Sequence, residues 1–151
     1  MRRVLLRIIA VLEMIGGVFG IFFVCWVALS SDLDLASMIV AGIEIAIFAL
    51  SLASGIALWR RHPLGRKGSI VIQAIQIPKI VSPAIVFMFS FGFDVWIRYL
   101  QGSRLSNVGF DLRLLANSQL FINVPNTPSG FGISISACVF LLPLIKPAPD
   151  A

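Results

Sequence analysis

The sequence predicts an all-α integral membrane protein with four transmembrane helices and a small extracytoplasmic β-hairpin between helices 3 and 4. Hydrophobic residues make up 58% of the 151 residues, and charged residues only 13%. A soluble domain has about 45–50% apolar and about 25% charged residues, so this chain lacks polar side chains to cover a water-facing surface. Its apolar residues are gathered in long runs, and its length leaves room for a single membrane domain over residues 1–151.

The predicted spans follow from the need for about 20 mostly apolar residues to cross a bilayer. They cover residues 4–29, 35–59, 68–93 and 130–145. The last run gives a helix of only about 24 Å, less than a hydrocarbon core of about 30 Å, so bilayer thinning or protein contacts must accommodate it. The first run exceeds the apolar core of a signal peptide and contains Glu13, so we expect a retained anchor.

Basic residues predict the orientation, because Lys and Arg collect in cytoplasmic loops. Residues 2–7, residues 60–67 and Lys146 are basic, whereas residues 30–34 contain two Asp and no Lys or Arg. We therefore expect a multi-pass protein of the cell membrane with both termini in the cytoplasm. The net charge of +5 then reflects topology and contact with anionic headgroups, and no nucleic-acid partner is expected.

The extracytoplasmic segment, residues 94–129, has the alternation of strands rather than of helices. Residues 108–115 and, more loosely, 120–124 alternate with period two around a polar turn, which predicts a β-hairpin. Residues 94–99 alternate as well and fit either a third strand or the interfacial end of helix 3. The hairpin should lie above the membrane, because an open sheet edge is not stable in hydrocarbon.

Three ionisable side chains inside the spans form the candidate site: Glu13, Glu44 and Lys79. They lie about 14, 22 and 17 Å from the cytoplasmic ends of their helices, so Lys79 is within reach of either carboxylate. Membrane charges usually face protein or water and find a partner, and we expect Lys79 to pair with Glu44 or Glu13. Gln73 and Gln76 extend the polar side of helix 3. The set fits a transport site for a proton or a cation, or else a structural ion pair or neutral Glu side chains that hydrogen-bond across helices, and we favour a structural role.

Small residues predict close helix packing. Gly16 and Gly20 are four residues apart in the first span, as are Gly42 and Ala46 in the second. Such spacings let helix backbones approach closely, either within the bundle, which we favour, or between copies of the chain.

The remaining reactive residue types exclude several kinds of site. Cys25 and Cys138 each lie within an apolar run, which fits buried structural thiols rather than a disulfide or a metal site. His62 is the only histidine, so a histidine-based metal site or catalytic triad is excluded. No cofactor or metal is expected.

The sequence does not identify a specific activity. The favoured hypothesis is a non-enzymatic accessory or interaction subunit in the lipid bilayer, with a membrane protein partner or as a homo-oligomer. The alternative is a small oligomeric transporter or channel that uses the intramembrane Glu and Lys residues. An intramembrane enzyme is least favoured, because no nucleophile with a base is found in the sequence.

Overall fold

A computed structural model describes residues 2–90, 93–101, 106–114, 117–122 and 129–145. Its elements are, in chain order, α1 (Arg2–Ser30), α2 (Leu35–Trp59), α3 (Pro63–Gln76), β1 (Pro78–Val81), β2 (Ile85–Ser90), β3 (Phe93–Gln101), β4 (Ser106–Leu114), β5 (Asn117–Ile122), β6 (Ser129–Ser134) and α4 (Ile135–Ile145). The described part of the chain is therefore mixed α/β. The prediction of four transmembrane helices with one small hairpin is wrong.

The first two predicted spans coincide with helices α1 and α2. Both are long and apolar enough, by length and composition, to cross a membrane. Asp34 begins α2 as its N-cap and accepts a hydrogen bond of 3.0 Å from the Ser37 backbone N–H. Such a cap satisfies one of the N–H groups that the first turn of a helix leaves without an intrahelical partner.

Glycines bring α1 and α2 into close contact. A Cβ added to Gly20 would overlap the Phe48 ring, and one added to Gly55 would lie 2.8 Å from the Ala10 carbonyl oxygen. Gly16 is buried, whereas a Cβ added to Gly42 would meet no atom within 4 Å. The glycines of α1 thus pack against α2 within one chain, while the predicted pair Gly42 and Ala46 faces away from the rest of the protein.

The predicted third span, residues 68–93, is not one helix. Helix α3 ends at Gln76, and strands β1 and β2 follow as a hairpin. Pro78 lacks the N–H that a continuing helix needs, and it takes the first position of β1, where a strand tolerates proline. Pro83 lies in the turn that the Ser82 N–H closes by donating to the Ile85 carbonyl over 2.9 Å. β-Branched residues on both sides of this turn favour strands.

The predicted fourth span, residues 130–145, divides into strand β6 and helix α4. The 11 residues of α4 are too few to cross a bilayer. The prediction of a fourth membrane-spanning helix is therefore wrong, because half of this apolar run pairs with other strands instead of continuing as a helix.

The two strands of the predicted hairpin do not pair with each other in the structure. The strands expected at 108–115 and 120–124 correspond to β4 and β5, and residues 94–99 lie in β3. Residues 115, 123 and 124 lie outside the described residues. The sheet order β4-β3-β6-β1-β2-β5 places β4 and β5 at opposite ends, so they do not pair with each other. Alternation identified the strands, but it did not identify their partners.

The sheet curls, and its inner face buries Val86, Met88 and Trp96. Trp96 on β3 packs with Val86 and Met88 on β2, although β6 and β1 lie between these strands. In a flat sheet strands that far apart would be separated by about 14 Å, so the contact requires strong curvature. Gly132 on β6 allows it, since an added Cβ would overlap the Trp96 ring.

The outer face of the sheet is apolar; it is exposed over much of its area, but on β2 Phe87 and Phe89 of this face pack against α1 and α2. Directly paired residues share a face, and the register places Phe110 opposite Ile97, and Ile97 opposite Ile133. The exposed apolar residues on this face, here called the outer sheet face, are Ile80, Ile85, Ile97, Val108, Phe110, Leu112, Phe131 and Ile133. The charged side chains of Lys79 and Asp94 are buried on the inner face, and apolar side chains are exposed on the outer face. This is the reverse of the arrangement in a sheet of a water-soluble protein.

Helices α3 and α4 connect the sheet to the helical hairpin. Ile9, Ala10 and Leu58 form one core with Leu144 of α4, near the N-terminal end of α1. A second core contains Phe89 of β2, Val24 of α1 and Phe48, the last near the middle of α2. The Arg66 side chain donates to the carbonyls of Leu144 and Ile145, so the end of α4 lies beside the start of α3.

Candidate functional site

Among the described residues, a buried ion pair lies on the inner face of the sheet. The Lys79 ammonium on β1 lies 2.8 Å from the Asp94 carboxylate on β3, and the two side chains are 1% and 0% exposed. Lys79 also donates to the Phe89 carbonyl and, over 3.0 Å, to Ser90 Oγ. The ammonium thus has three partners from two strands, β2 and β3, which are not neighbours in the sheet.

Asp94 joins this pair to the first turn of α4. Its carboxylate accepts hydrogen bonds from Ser90 Oγ at 2.5 Å, from Ser136 Oγ at 3.0 Å and from Ser134 Oγ. Ser134 in turn accepts a bond of 3.1 Å from the Ala137 N–H, the arrangement of a helix N-cap. A carboxylate is well placed at a helix N-terminus, where backbone N–H groups carry partial positive charge. We call Lys79, Ser90, Asp94, Ser134 and Ser136 the sheet cluster.

The electrostatics of the sheet cluster favour the ionised form of Asp94. Burial alone raises the pKa of the Asp94 carboxyl, but the Lys79 charge and the hydrogen bonds from Lys79, Ser134 and Ser90 outweigh that effect. The pKa of Asp94 therefore lies below its ordinary value. The ionised Asp94 offsets the free-energy cost of removing the Lys79 ammonium from water.

The adjacency of Lys79 and Ser90 does not make a nucleophile. Serine–lysine catalytic pairs use a neutral lysine that accepts the hydroxyl proton. Here Lys79 is held as an ammonium by Asp94, and the Ser90 hydroxyl already donates to that carboxylate. Ser90 is also only 2% exposed, which leaves a substrate no access. The arrangement joins four chain segments, β1, β2, β3 and the start of α4, through one ion pair and its hydrogen bonds.

A second buried polar cluster lies between the helices. Glu13 of α1 is 1% exposed and accepts hydrogen bonds from Ser69 Oγ at 2.7 Å and from Gln73 Nε2 at 3.2 Å. Its backbone carbonyl accepts a bond of 3.1 Å from Ser51 Oγ of α2. Among the described residues no cation lies within ion-pair distance of Glu13. We call Glu13, Ser51, Ser69 and Gln73 the helix cluster.

The structure separates the residues that were grouped from the sequence. Glu13 and Gln73 meet in the helix cluster, whereas Lys79 lies on the sheet with Asp94, which was not among the expected partners. The expectation that Lys79 pairs with Glu44 or Glu13 is therefore wrong. Glu44 is half-buried on α2, and Gln76 is buried at the end of α3.

Asp94 and its serines are the site residues that the sequence patterns did not reveal. Asp94 falls at the start of the predicted extracytoplasmic segment, where a carboxylate needs no partner. The available signal was that Lys79 and Asp94 are the only charged residues between Lys67 and Arg98, in a run of otherwise apolar and neutral polar residues. Two opposite charges in such a run favour a buried pair in any fold.

The described residues hold no candidate metal centre. None of the groups of three or more His, Cys, Asp or Glu side chains that a metal needs occurs in this part of the chain. Cys25 and Cys138 are free and half-buried. Within the described ranges, the buried carboxylates of Glu13 and Asp94 thus lie in two separate hydrogen-bonded clusters.

Comparison of the chain with models of protein families, with curated proteins and with solved structures gives no match.

Proposed function

We propose that this chain is a membrane-anchored, non-enzymatic interaction subunit that binds another membrane protein through the outer sheet face. Helices α1 and α2 would cross the bilayer as a hairpin. The observation that carries the proposal is the distribution of polarity among the described residues: the buried charged side chains, Glu13, Lys79 and Asp94, are enclosed in two clusters, while many large apolar side chains are exposed. Such exposed apolar area marks a membrane or protein contact.

The exposure of the helices supports membrane anchoring. A core helix of a soluble protein is mostly buried, but only 11% of the most apolar window of α2 is buried. On α1 the exposed apolar side chains include Phe22, Phe23 and Trp26. Helix α1 also packs on α2 through Gly20 and holds Glu13 against α3, so its removal as a signal peptide would open the core.

Charge supports a defined orientation. The end of the hairpin with Arg3, Arg7, Arg60 and Arg61 is basic, whereas the opposite connection carries Asp32 and Asp34. By the preference of Lys and Arg for the cytoplasm, the N-terminus and the α2–α3 turn are cytoplasmic in this proposal. The bonds from Arg66 to the last carbonyls of α4 bring the end of α4 to the same side.

The partner proposed for the outer sheet face is a protein rather than lipid. Phe89 packs near the middle of α2, so the sheet begins at the depth of the proposed membrane. Strands β4 and β5 end the sheet, and their outer N–H and C=O groups need hydrogen-bond partners that lipid tails do not offer. A membrane protein can supply both an apolar surface for the face and polar groups for the edges.

Photocrosslinking in the native membrane tests this proposal. A photoreactive amino acid replaces Phe110, which is 72% exposed on the outer sheet face, or Phe22, which is 66% exposed on α1. We expect a defined protein adduct from position 110, lipid adducts from position 22, and resistance of the protein to extraction by alkaline carbonate. Extraction into the soluble fraction would refute the membrane anchor. Adducts at position 110 with lipid alone, or with a second copy alone, would refute the accessory role.

The transporter alternative has lost its main support. It required Lys79 to act together with Glu13 or Glu44 along one path, but Lys79 is enclosed with Asp94. The helix cluster retains one buried carboxyl, without a second titratable group among its members. No specific observation favours transport over binding.

A further inference from the structure

An apolar groove opens at the basic end of the helical hairpin. It has a volume of ≈ 270 Å³ and is lined by Val4, Arg7, Ile8, Val11, Leu12 and Trp59. Five of these six side chains offer only hydrocarbon or an aromatic ring, and Arg7 is the one charged group. The groove therefore suits a ligand that is largely hydrocarbon and carries a negative charge at one end.

Arg7 is held in position to bind that charge. Its guanidinium carbon lies 5.6 Å from the centroid of the Trp59 ring, a cation–π contact. Stacking on the ring leaves N–H groups at the guanidinium edge, and these match the geometry of a phosphate. Trp59 itself is half exposed at the end of α2, the position at which tryptophans meet the headgroup zone of a membrane.

The surroundings of the groove are uniformly positive. Arg60 and Arg61 directly follow Trp59 and are exposed, as is Arg3 next to Val4. Arg66 is occupied at the end of α4 and does not contribute to the rim. The one acidic residue of the described α1 and α3 is Glu13, which is buried in the helix cluster. The charge of the rim is thus complementary to an anion, and no carboxylate among the described residues forms an ion pair with it.

We propose that this groove binds one anionic phospholipid from the cytoplasmic leaflet. An acyl chain would lie along Ile8, Val11 and Leu12, and the phosphodiester would contact Arg7, with Arg60 and Arg61 at the rim. The apolar walls select a phosphate that is attached to hydrocarbon over free phosphate. This inference rests on the proposed membrane anchoring of α1 and α2.

Native mass spectrometry of the detergent-purified full chain tests the site. The protein is titrated with phosphatidylglycerol or with phosphatidylcholine, and inorganic phosphate is added as a competitor. The variants are Arg7→Gln, which removes the charge, and Val4→Trp, which fills the mouth of the groove from an exposed position. Lys67→Gln is the matched control, because Lys67 is an exposed basic residue that does not line the groove.

We expect one phosphatidylglycerol to bind in preference to phosphatidylcholine and to resist inorganic phosphate. Arg7→Gln should weaken its binding about fivefold, the equivalent of roughly 1 kcal/mol for one basic residue at a membrane surface, and Lys67→Gln should weaken it less. Val4→Trp should weaken both lipids. Equal affinity for the two lipids, or equal losses in Arg7→Gln and Lys67→Gln, would overturn the site. Carbonate extraction tests the membrane anchor separately. If the protein resists extraction but shows no preference between the two lipids, the lipid site is refuted and the proposed membrane anchor is not.

Discussion

The Lys79 ammonium and the Asp94 carboxylate lie 2.8 Å apart, although their strands, β1 and β3, are not neighbours in the sheet. Strand β6 lies between β1 and β3, and its residue opposite Lys79 is Gly132, which has no side chain to obstruct the contact. The pair thus fixes the positions of three strands at once. Because Ser134 and Ser136 bind the same carboxylate, the pair also fixes the start of α4.

The first prediction concerns the removal of one charge from this pair. Asp94→Asn keeps the side-chain shape but leaves the Lys79 ammonium buried without its anion, and breaking a buried pair in this way costs about 3–5 kcal/mol. We expect that loss in the free energy of unfolding, measured by denaturant titration in one detergent. Asp32→Asn, which changes an exposed carboxylate, is the matched control and should have little effect.

The double variant Lys79→Met with Asp94→Leu distinguishes the charge from the packing. It removes both ions and leaves apolar side chains, so it should regain much of the stability that Asp94→Asn loses. If the single and double variants unfolded alike, the lost stability would belong to the serines around Asp94 rather than to Lys79.

The second prediction follows from the low pKa of Asp94. Its folded pKa lies below the unfolded value, so the unfolded chain binds this proton first as the pH falls. The stability from the pair is present above the ordinary aspartate pKa of about 3.9 and is lost as the pH falls below it toward the folded pKa. Thermal unfolding from pH 6 to about pH 2.5 should show this loss in the wild type. The slope should be smaller in the double variant, and an equal slope would exclude Asp94 as its source.

The third prediction tests the curvature of the sheet. In Gly132→Ala the new Cβ would overlap the Trp96 ring, so the ring must move away from Val86 and Met88. Overpacking of this kind costs about 1–3 kcal/mol. Gly42→Ala is the control: nothing lies within 4 Å of its added Cβ, and a helical alanine should stabilise by about 0.5–1 kcal/mol. Near-ultraviolet circular dichroism should report the displaced tryptophan only in Gly132→Ala.

The first two helices were predictable because their signal is long. More than 20 mostly apolar residues in a row exceed what a strand uses, so residues 35–59 were correctly predicted to be helical. Residues 68–93 mislead for a physical reason: the strands β1 and β2 have apolar residues on both faces. One face packs inside the curl, and the other is exposed at Ile80 and packs against the helices at Phe89. Periodicity cannot separate such a run from a buried helix.

Pro78 and Pro83 are the correct signals against a third transmembrane helix. They are also compatible with kinks, because membrane helices tolerate proline when neighbours satisfy the freed carbonyls, and this ambiguity hides the hairpin. The partner of Lys79 was beyond sequence reasoning for another reason. Its identity depends on the order of strands, and alternation predicts a strand without specifying its neighbour.

The last prediction concerns Arg61, which ends α2 with a left-handed backbone. Its φ is 59°, and its N–H donates to the Leu58 carbonyl while that of His62 donates to Ala57, the pattern of a Schellman motif. Glycine is the usual residue at this position because a Cβ is strained there. Arg61→Gly should therefore raise the free energy of unfolding by about 1 kcal/mol while it weakens phosphatidylglycerol binding. Arg60→Gln removes a neighbouring charge at an ordinary negative φ, so it should weaken binding without stabilising the fold. If Arg61→Gly instead lowered the free energy of unfolding, the arginine side chain would stabilise the fold by more than its left-handed backbone destabilises it.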